Sequence, residues 1–279
     1  MEISRVGFEN EDATAVVLAR HDVYADALAG TPLAVARDAP LLLTPTHQLD
    51  PRVAAEMQRI LAPGETVYIL GGPMAIAEET ENAVRALQFN TERFQGADRY
   101  GTAVAIADEL GNPDTLLLAT GVDFPDAASA GAAGASLSGA VLLTAGNQLP
   151  PVTESYLEEH PGATRFAVGG PASAADPGAT PLFGGGRYET AVAVAEEFFD
   201  DADAVGVVSG VAFADAITGG THMGRLRGPI LLTAPGDLPE PTRVWLQDHA
   251  SNLTDAFIFG GTSAVSTAVE DQIRAALNG

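Results

Sequence analysis

The motif that decides the fold is an aromatic residue, any residue, aspartate and alanine, and it occurs three times. It reads YADALAG at residues 24–30, FPDAASAG at residues 124–131 and FADAITGG at residues 213–220. Its aspartates are Asp26, Asp126 and Asp215, which lie 100 and 89 residues apart. A motif that recurs at nearly constant spacing indicates that the chain repeats one structural unit three times.

Two further motifs follow each copy in the same order. A leucine-rich run ends in a threonine at Thr44, Thr144 and Thr233, again 100 and 89 residues apart. An apolar run then ends in a pair of glycines at 71–72, 169–170 and 260–261. Short apolar runs without polar alternation are typical of strands buried on both faces of a parallel sheet, and the amphipathic stretches between them predict helices.

These patterns predict an α/β protein of three tandem units, at residues 1–90, 91–180 and 181–279. Each unit is expected to hold a small, mostly parallel sheet flanked by helices, in a Rossmann-like or Toprim-like arrangement. A fourth motif, Arg-Tyr, opens a predicted helix at 99–100 and at 187–188, ahead of the second and third copies. The first unit has no clear equivalent, so its opening helix is expected to be missing or degenerate.

The charge of the chain is extreme. Fourteen basic residues against 37 acidic residues give a formal net charge of −23 across 279 residues, and every basic residue is arginine. This balance argues against nucleic-acid binding, which needs clustered cations. It favours adaptation to high salt, because the repulsion between surface carboxylates is screened when the Debye length falls to about 3 Å near 1 M salt. An acidic protein of a low-salt organism is the alternative.

The sequence shows no recognisable targeting signal or membrane anchor. The first residues lack the basic region and apolar stretch of a secretory signal peptide, and no apolar run approaches the ~18 residues of a transmembrane helix. There is no cysteine, which excludes disulfides and thiol chemistry. On the residues alone, a cytoplasmic location stays open beside a surface one.

The motif aspartates Asp26, Asp126 and Asp215 are the first candidates for a ligand site. Each follows the first predicted strand of its unit, and ligands of open parallel sheets bind at the carboxyl ends of strands. The competing interpretation, which we favour, is that each aspartate caps the alanine-rich helix that follows it, an interaction worth about 1 kcal/mol.

The Arg-Tyr pairs are the second candidates. The guanidinium of Arg99 or Arg187 offers a planar fork for a carboxylate or a phosphate, and Tyr100 or Tyr188 could stack on a sugar. Equally, each arginine could pair with an aspartate of the adjacent unit and fix the interface between units. No histidine pattern predicts a metal site, and no motif predicts a cofactor or a catalytic residue. The glycine pairs are expected to be tight turns, since a P-loop needs a lysine.

Taken together, the motifs resemble the type 2 cell-wall-binding repeat family. The family pattern is an Arg-Tyr opening, a Gly-x-x-aromatic-x-Asp-Ala motif, a Leu-Leu-Thr strand and a glycine pair. RFQGADRYGTA at residues 93–103, GVDFPDA at 121–127 and GVAFADA at 210–216 match this pattern closely. GGGRYETA at residues 184–191 matches the Arg-Tyr opening but has no counterpart of Arg93, the arginine that begins RFQGADRYGTA.

The resemblance implies a pseudo-threefold arrangement of the units and a non-catalytic module that anchors proteins non-covalently to the cell envelope. Its partners would be an anionic cell-envelope polymer or a surface glycan, with a surface-protein effector domain attached, and its location would be the cell surface. The resemblance implies neither a catalytic residue nor a cofactor for the repeats. The alternative function is a protein-interaction scaffold, inside the cell or on its surface, built from the same repeats.

Overall fold

A computed structural model describes all 279 residues as twelve helices and eleven strands. The first unit comprises α1 (Glu2–Gly7), β1 (Ala15–Arg20), α2 (Gly30–Ala36), β2 (Leu41–Thr44), α3 (Pro51–Ile60), β3 (Thr66–Leu70), α4 (Glu78–Ala86) and β4 (Asn90–Phe94). The second comprises α5 (Arg99–Glu109), β5 (Thr115–Thr120), α6 (Pro125–Ser136), β6 (Ala140–Thr144), α7 (Pro151–Glu159), β7 (Thr164–Val168), α8 (Gly170–Ala175) and β8 (Thr180–Leu182). The third comprises α9 (Arg187–Phe198), β9 (Ala204–Ser209), α10 (Phe213–Leu226), β10 (Ile230–Thr233), α11 (Glu240–His249), β11 (Asp255–Phe259) and α12 (Thr267–Asn278).

The strands form three separate sheets in which every pairing is parallel. The strand orders are β2-β1-β3-β4, β6-β5-β7-β8 and β10-β9-β11. The leucines of the central strand β5, residues 116–118, have no exposed surface. Burial on both faces explains why these strands lack polar alternation. The predicted α/β fold of three tandem units is confirmed.

The last strand of each of the first two sheets leads directly into the next unit. β4 pairs with β3 and is followed by α5, and β8 pairs with β7 and is followed by α9. The divisions expected after residues 90 and 180 pass through these strands, whose last residues are Phe94 and Leu182. The third sheet has three strands and no counterpart of β4 or β8.

One helix of each unit packs at the centre of the molecule. α2, α6 and α10 contact one another; the aromatic-x-Asp-Ala motif precedes α2 and forms the start of α6 and α10. Small residues permit the close approach, because a Cβ on Gly224 of α10 would lie only 2.7 Å from the Cβ of Ala135 in α6 and 3.1 Å from Val35 of α2. The three units therefore surround a pseudo-threefold axis, as the family resemblance implies.

A shared core lies on the inner faces of the three sheets. The largest apolar cluster contains 37 buried residues and draws on the strands and central helices of all three units. Smaller clusters of 15, 10 and 11 buried residues lie on the outer faces, one in each unit. Each unit thus completes its outer core alone, whereas its inner sheet face is buried by its own central helix together with residues of the other units.

Each central helix also packs against the opening helix of the next unit, and this closes a ring. α2 contacts α5, α6 contacts α9, and α10 contacts α1. Ion pairs cross all three unit junctions, between Arg37 and Glu109, between Arg225 and Asp38 at 3.0 Å, and between Arg187 and Asp123 at 3.2 Å. α1 has six residues, compared with 11 in α5 and 12 in α9. The opening helix of the first unit is therefore shortened rather than missing.

Candidate functional site

The motif aspartates do not cap the central helices. Asp126 and Asp215 lie in the first turns of α6 and α10, and neither helix receives a hydrogen bond from a capping side chain. Asp26 lies four residues ahead of α2, which also lacks a side-chain cap. The capping interpretation is therefore wrong, although a carboxylate in the first turn still interacts favourably with the helix dipole.

Each motif aspartate instead faces the glycine pair of its own unit. The first glycines of the pairs, Gly71, Gly169 and Gly260, have φ values of 88°, 92° and 121°, a region that favours glycine. A Cβ on Gly169 would collide with the carboxylate of Asp126, and one on Gly71 would come within 2.6 Å of Asp26 Oδ2. The aspartate and the glycine pair are therefore two parts of one arrangement at the carboxyl ends of the first and third strands.

Burial makes the charge of these carboxylates costly. The pKa of Asp126 is raised to about 6, chiefly by burial and also by the neighbouring Asp123, while Arg187 opposes the rise. Burial likewise raises the pKa of Asp215. A carboxyl whose pKa lies near 6 is ionised at neutral pH only at a cost to stability.

The two motif arginines reach across the first strand of their own unit. Arg99 and Arg187 are the first residues of α5 and α9. Nη1 of Arg99 donates to the backbone oxygen of Gly121, and Nη1 of Arg187 donates to that of Gly210. Both glycines directly follow the first strand of their unit, so each arginine ties its opening helix to the strand end next to the motif aspartate.

The tyrosines that follow these arginines pack against the protein. Tyr100 and Tyr188 are half-buried and rest on the shared core. A Cβ on Gly121 would lie 3.0 Å from Cε1 of Tyr100, and one on Gly210 would lie 3.2 Å from Cε1 of Tyr188. The rings therefore cover the glycines, and their contacts explain why glycine occupies both positions.

One of the two motif arginines pairs with an aspartate of the adjacent unit. Nη2 of Arg187 lies 3.2 Å from Oδ2 of Asp123, an ion pair between the third and second units. By position in the repeat, Asp123 corresponds to Val23 of the first unit. Arg99 therefore faces no carboxylate at this position of its neighbour.

A polar cleft of about 290 Å³ lies at the junction of the second and third units. Its lining consists of two prolines, glycines 170 and 184–186, and the polar residues Asp123, Asp126, Arg187 and Thr190. α9 begins beside this cleft and receives no side-chain cap, because its N-cap residue is Gly186. A helix N-terminus and a guanidinium attract anionic groups, and carboxylates accept hydrogen bonds from hydroxyls.

The equivalent position between the first and second units is built differently. Asp98 precedes α5 and accepts hydrogen bonds from the backbone amides of Tyr100 and Gly101, both at 3.0 Å. These amides are consequently occupied, and Val23 supplies no acidic group. This junction thus lacks two of the features that distinguish the cleft between the second and third units.

The structure distributes the predicted residues over three dissimilar junctions. Asp126 and Arg187 meet in one cleft, and Asp26 and Arg99 flank the junction of the first and second units. Asp215 lines a separate cleft of about 560 Å³ beside α1 and β11. No group of three or more potential metal ligands is brought together, and none of the helices has the length and apolar character to span a bilayer.

The aromatic residues of the motif form a contact that the sequence did not predict. The rings of Tyr24, Phe124 and Phe213 meet on the pseudo-threefold axis, with centroids 5.7 to 6.4 Å apart. The hydroxyl of Tyr24 donates to the backbone oxygen of Val122 in the second unit at 2.6 Å. A single copy of the motif carries no sign of this contact, and the recurrence of the aromatic residue was the one available signal.

Comparison with known families agrees with the three-unit architecture. The model of the family "Cell wall binding domain 2 (CWB2)" matches the chain three times, over residues 1–81, 93–177 and 182–270. The chain belongs to the cell wall binding domain 2 family. The shortened α1 lies in the first matched repeat, and β11 and the first turn of α12, residues 267–270, lie in the third.

Two curated relatives of this family member come from Bacillus subtilis (strain 168). The chain is 26% identical over 291 residues to N-acetylmuramoyl-L-alanine amidase LytC, a match that covers 98% of the chain and 58% of LytC. It is 25% identical over 273 residues to an amidase enhancer, a match that covers 92% of the chain and 36% of that protein. The chain thus spans about half, or less, of the relatives it matches.

Solved structures show the same fold. The chain aligns with Cwp8 from Clostridium difficile with a TM-score of 0.89 and 26% identity, over 99% of this chain and 49% of Cwp8. Cwp6 from Clostridium difficile aligns with a TM-score of 0.82 and 23% identity, over 98% of this chain and 45% of Cwp6. The family and these relatives identify this CWB2 chain as a cell-wall-binding module, and the family indicates a location at the cell surface.

Proposed function

We propose that this CWB2 chain anchors a larger protein non-covalently to the cell envelope by binding an anionic envelope polymer or surface glycan. We place the binding site in the cleft between the second and third units. The convergence of Asp123, Asp126 and Arg187 in that cleft carries the proposal. Membership of a cell wall binding family supports the class of ligand.

The chemistry of the cleft matches a hydroxyl-rich ligand with an anionic group. The guanidinium of Arg187 and the uncapped first turn of α9 favour a phosphate or carboxylate. The carboxylates of Asp123 and Asp126 accept hydrogen bonds from sugar hydroxyls. Retaining a costly charge at Asp126 is consistent with a role in binding, since binding sites are often less stable than the rest of a fold.

The charge of the protein defines the conditions for binding. A net charge of −23 repels an anionic polymer at low ionic strength. Near 1 M salt the Debye length is about 3 Å, so long-range repulsion is screened while contacts within the cleft persist. Adaptation of the acidic surface to high salt is therefore part of the proposal.

The proposed role is binding without catalysis. The only cation of the cleft, Arg187, is paired with Asp123 and bonded to a backbone carbonyl. The relatives named as an amidase and an amidase enhancer extend well beyond the part that the chain matches. We infer that this module likewise serves an effector domain, which would carry any activity.

Sedimentation with isolated cell envelopes at about 3 M salt tests the proposal. The unmodified protein should be retained in the envelope pellet, and Arg187→Ala should reduce retention by about 10-fold or more, because charge-assisted hydrogen bonds are lost. Arg243→Ala is the matched control, since Arg243 pairs with Glu240 on α11, away from the cleft. The proposal fails if the unmodified protein stays in solution, or if a folded Arg187→Ala protein is retained as well as the control.

A further inference from the structure

The third sheet ends at β11, whereas in each of the other two sheets a fourth strand covers the equivalent edge. β4 pairs with β3 and β8 pairs with β7, whereas β11 (Asp255–Phe259) pairs with β9 alone. The outer backbone groups of β11 are therefore without a neighbouring strand. The cleft of about 560 Å³ lies here and is lined by Phe257, Ile258, Phe259, Gly260 and Gly261 of this edge and by residues of α1.

The first unit shows how such an edge is covered. Arg93 of β4 donates through Nη1 to the backbone oxygen of Gly71 at 2.6 Å. Its Nη2 donates to the backbone oxygen of Ile76 at 3.0 Å and to Oε2 of Glu81 at 2.5 Å. One guanidinium thus donates hydrogen bonds to the glycine turn, to the loop before α4 and to a carboxylate of α4.

The third unit keeps the groups that receive this arginine. By position in the repeat, Gly260, Val265 and Glu270 correspond to the three residues that hold the guanidinium. The side chain of Glu270 is 40% exposed, compared with 10% for Glu81, which the arginine of β4 covers. Glu270 pairs with Arg274 as Glu81 pairs with Arg85, so the third unit keeps the acidic group and lacks only the second arginine, which a fourth strand supplies in the first unit.

The apolar part of the contact is retained as well. In the first unit, Phe94 follows the arginine and stacks on Tyr68, with ring centroids 5.7 Å apart. Leu182 occupies the same place in the second unit and is likewise buried in the shared core. In the third unit, Phe257 corresponds to Tyr68 and is half-buried like it. Its ring packs against His222 and Phe259, with ring centroids 4.9 and 6.0 Å apart, and no fourth strand brings an aromatic residue to it.

We propose that the β11 edge binds an extended segment of a partner protein, parallel to β11, in which arginine is followed by an aromatic residue or leucine. The register of β4 on β3 places the arginine opposite Ile258 and the next residue opposite Phe259. The backbone oxygen of that next residue accepts from the N–H of Gly260, as Phe94 accepts from Gly71 at 2.8 Å. Addition of a strand to an exposed sheet edge is an established mode of peptide recognition.

A partner protein fits this edge better than a second copy of the chain. Arginine followed by an aromatic residue or leucine occurs in this sequence at 93–94, 99–100, 165–166, 187–188 and 225–226. The pairs at 93–94 and 165–166 lie in β4 and β7, which are paired within their own sheets, and the other three lie in the helices α5, α9 and α10. A folded second copy therefore has no free segment of the required kind, while the charge of −23 favours a segment that carries arginine.

A peptide of residues 88–96, QFNTERFQG, is a direct probe of the β11 edge. Labelled peptide titrated with the full chain should show saturable one-to-one binding by fluorescence anisotropy. The peptide changes Arg93→Ala and Phe94→Ala should each weaken binding about 10-fold, and the protein change Glu270→Gln about 5-fold. Glu240→Gln, a change of an exposed glutamate on α11, is the matched control and should leave the affinity unchanged.

A charge swap and hydrogen exchange give independent readouts. The peptide carrying Arg93→Glu should not bind the unmodified protein but should bind the Glu270→Arg variant. A variant that had merely lost its fold could not regain affinity in this way. Saturating peptide should slow exchange of the Gly260 amide. The proposal is overturned if no binding occurs at about 1 mM peptide, or if neither Glu270→Gln nor the charge swap changes the affinity for the peptide. It is also overturned if the chain self-associates through β11 and binds no peptide.

Discussion

Replacing Asp126 by asparagine should stabilise the protein at neutral pH. Burial raises the pKa of Asp126 from its ordinary value of 3.8 to about 6. A difference of about 2 pH units corresponds to about 3 kcal/mol of ionisation cost. The side chain retains some contact with solvent and with Arg187, so we expect a gain of about 1–2 kcal/mol. Asparagine has nearly the same shape and fits over Gly169 without the charge.

The pH dependence of the gain identifies its cause. Because the pKa of Asp126 is higher in the folded than in the unfolded protein, the folded protein holds the proton more tightly. The ionisation cost is therefore absent below about pH 4, grows as the pH rises towards 6 and is complete above about pH 7. Asp126→Asn should match the unmodified protein near pH 4 and exceed its stability at pH 7.5.

Urea unfolding at constant high salt measures this difference across the pH range. Asp248→Asn removes one charge from the exposed surface of α11 and is the matched control. It should give a much smaller and nearly pH-independent change. A gain for Asp126→Asn that is equal at pH 4 and pH 7.5, or a loss of stability at pH 7.5, would refute the reasoning from burial.

Three further predictions concern stability. Gly169→Ala should destabilise the protein by about 1–3 kcal/mol, since its φ is 92° and a Cβ would meet Asp126, whereas Gly170→Ala, where a Cβ meets nothing within 4 Å, should have little effect. Urea unfolding compares the two, and similar values for both would contradict the structure. Tyr24→Phe should cost about 1 kcal/mol through the lost bond to the Val122 carbonyl, measured in the same way, and an unchanged stability would contradict it. The melting temperature, followed by circular dichroism, should rise between about 0.1 M and about 3 M salt, and an unchanged value would argue against adaptation to salt.

The sequence predicts the units well because each unit depends on local patterns. Apolar runs that end in Thr44 or in Gly71 mark strand ends, and such runs keep their meaning whatever lies next to them in space. The contacts between units depend on pairs of residues that are distant in the chain. Arg187 has an ionic partner only because the second unit carries Asp123 where the first carries Val23. A motif shared by all copies cannot show such a difference.

The capping prediction failed for a similar reason. The aspartate of the motif does stand near a helix start, where local statistics favour a cap. Its carboxylate turns instead towards Gly169, which is 43 residues further along the chain. The left-handed glycine and the aspartate form one arrangement, and only the folding of the whole unit brings them together.

The closed ring of α2–α5, α6–α9 and α10–α1 contacts also fixes how many repeats the protein can contain. In an open solenoid a repeat can be gained or lost, because each stacks on its neighbours along a line. Here every unit touches both others, so deletion of one would expose the inner face of the remaining two, and a fourth would have no place at the axis. Insertions and losses in the gene of such a protein are therefore tolerated only in complete sets of three repeats.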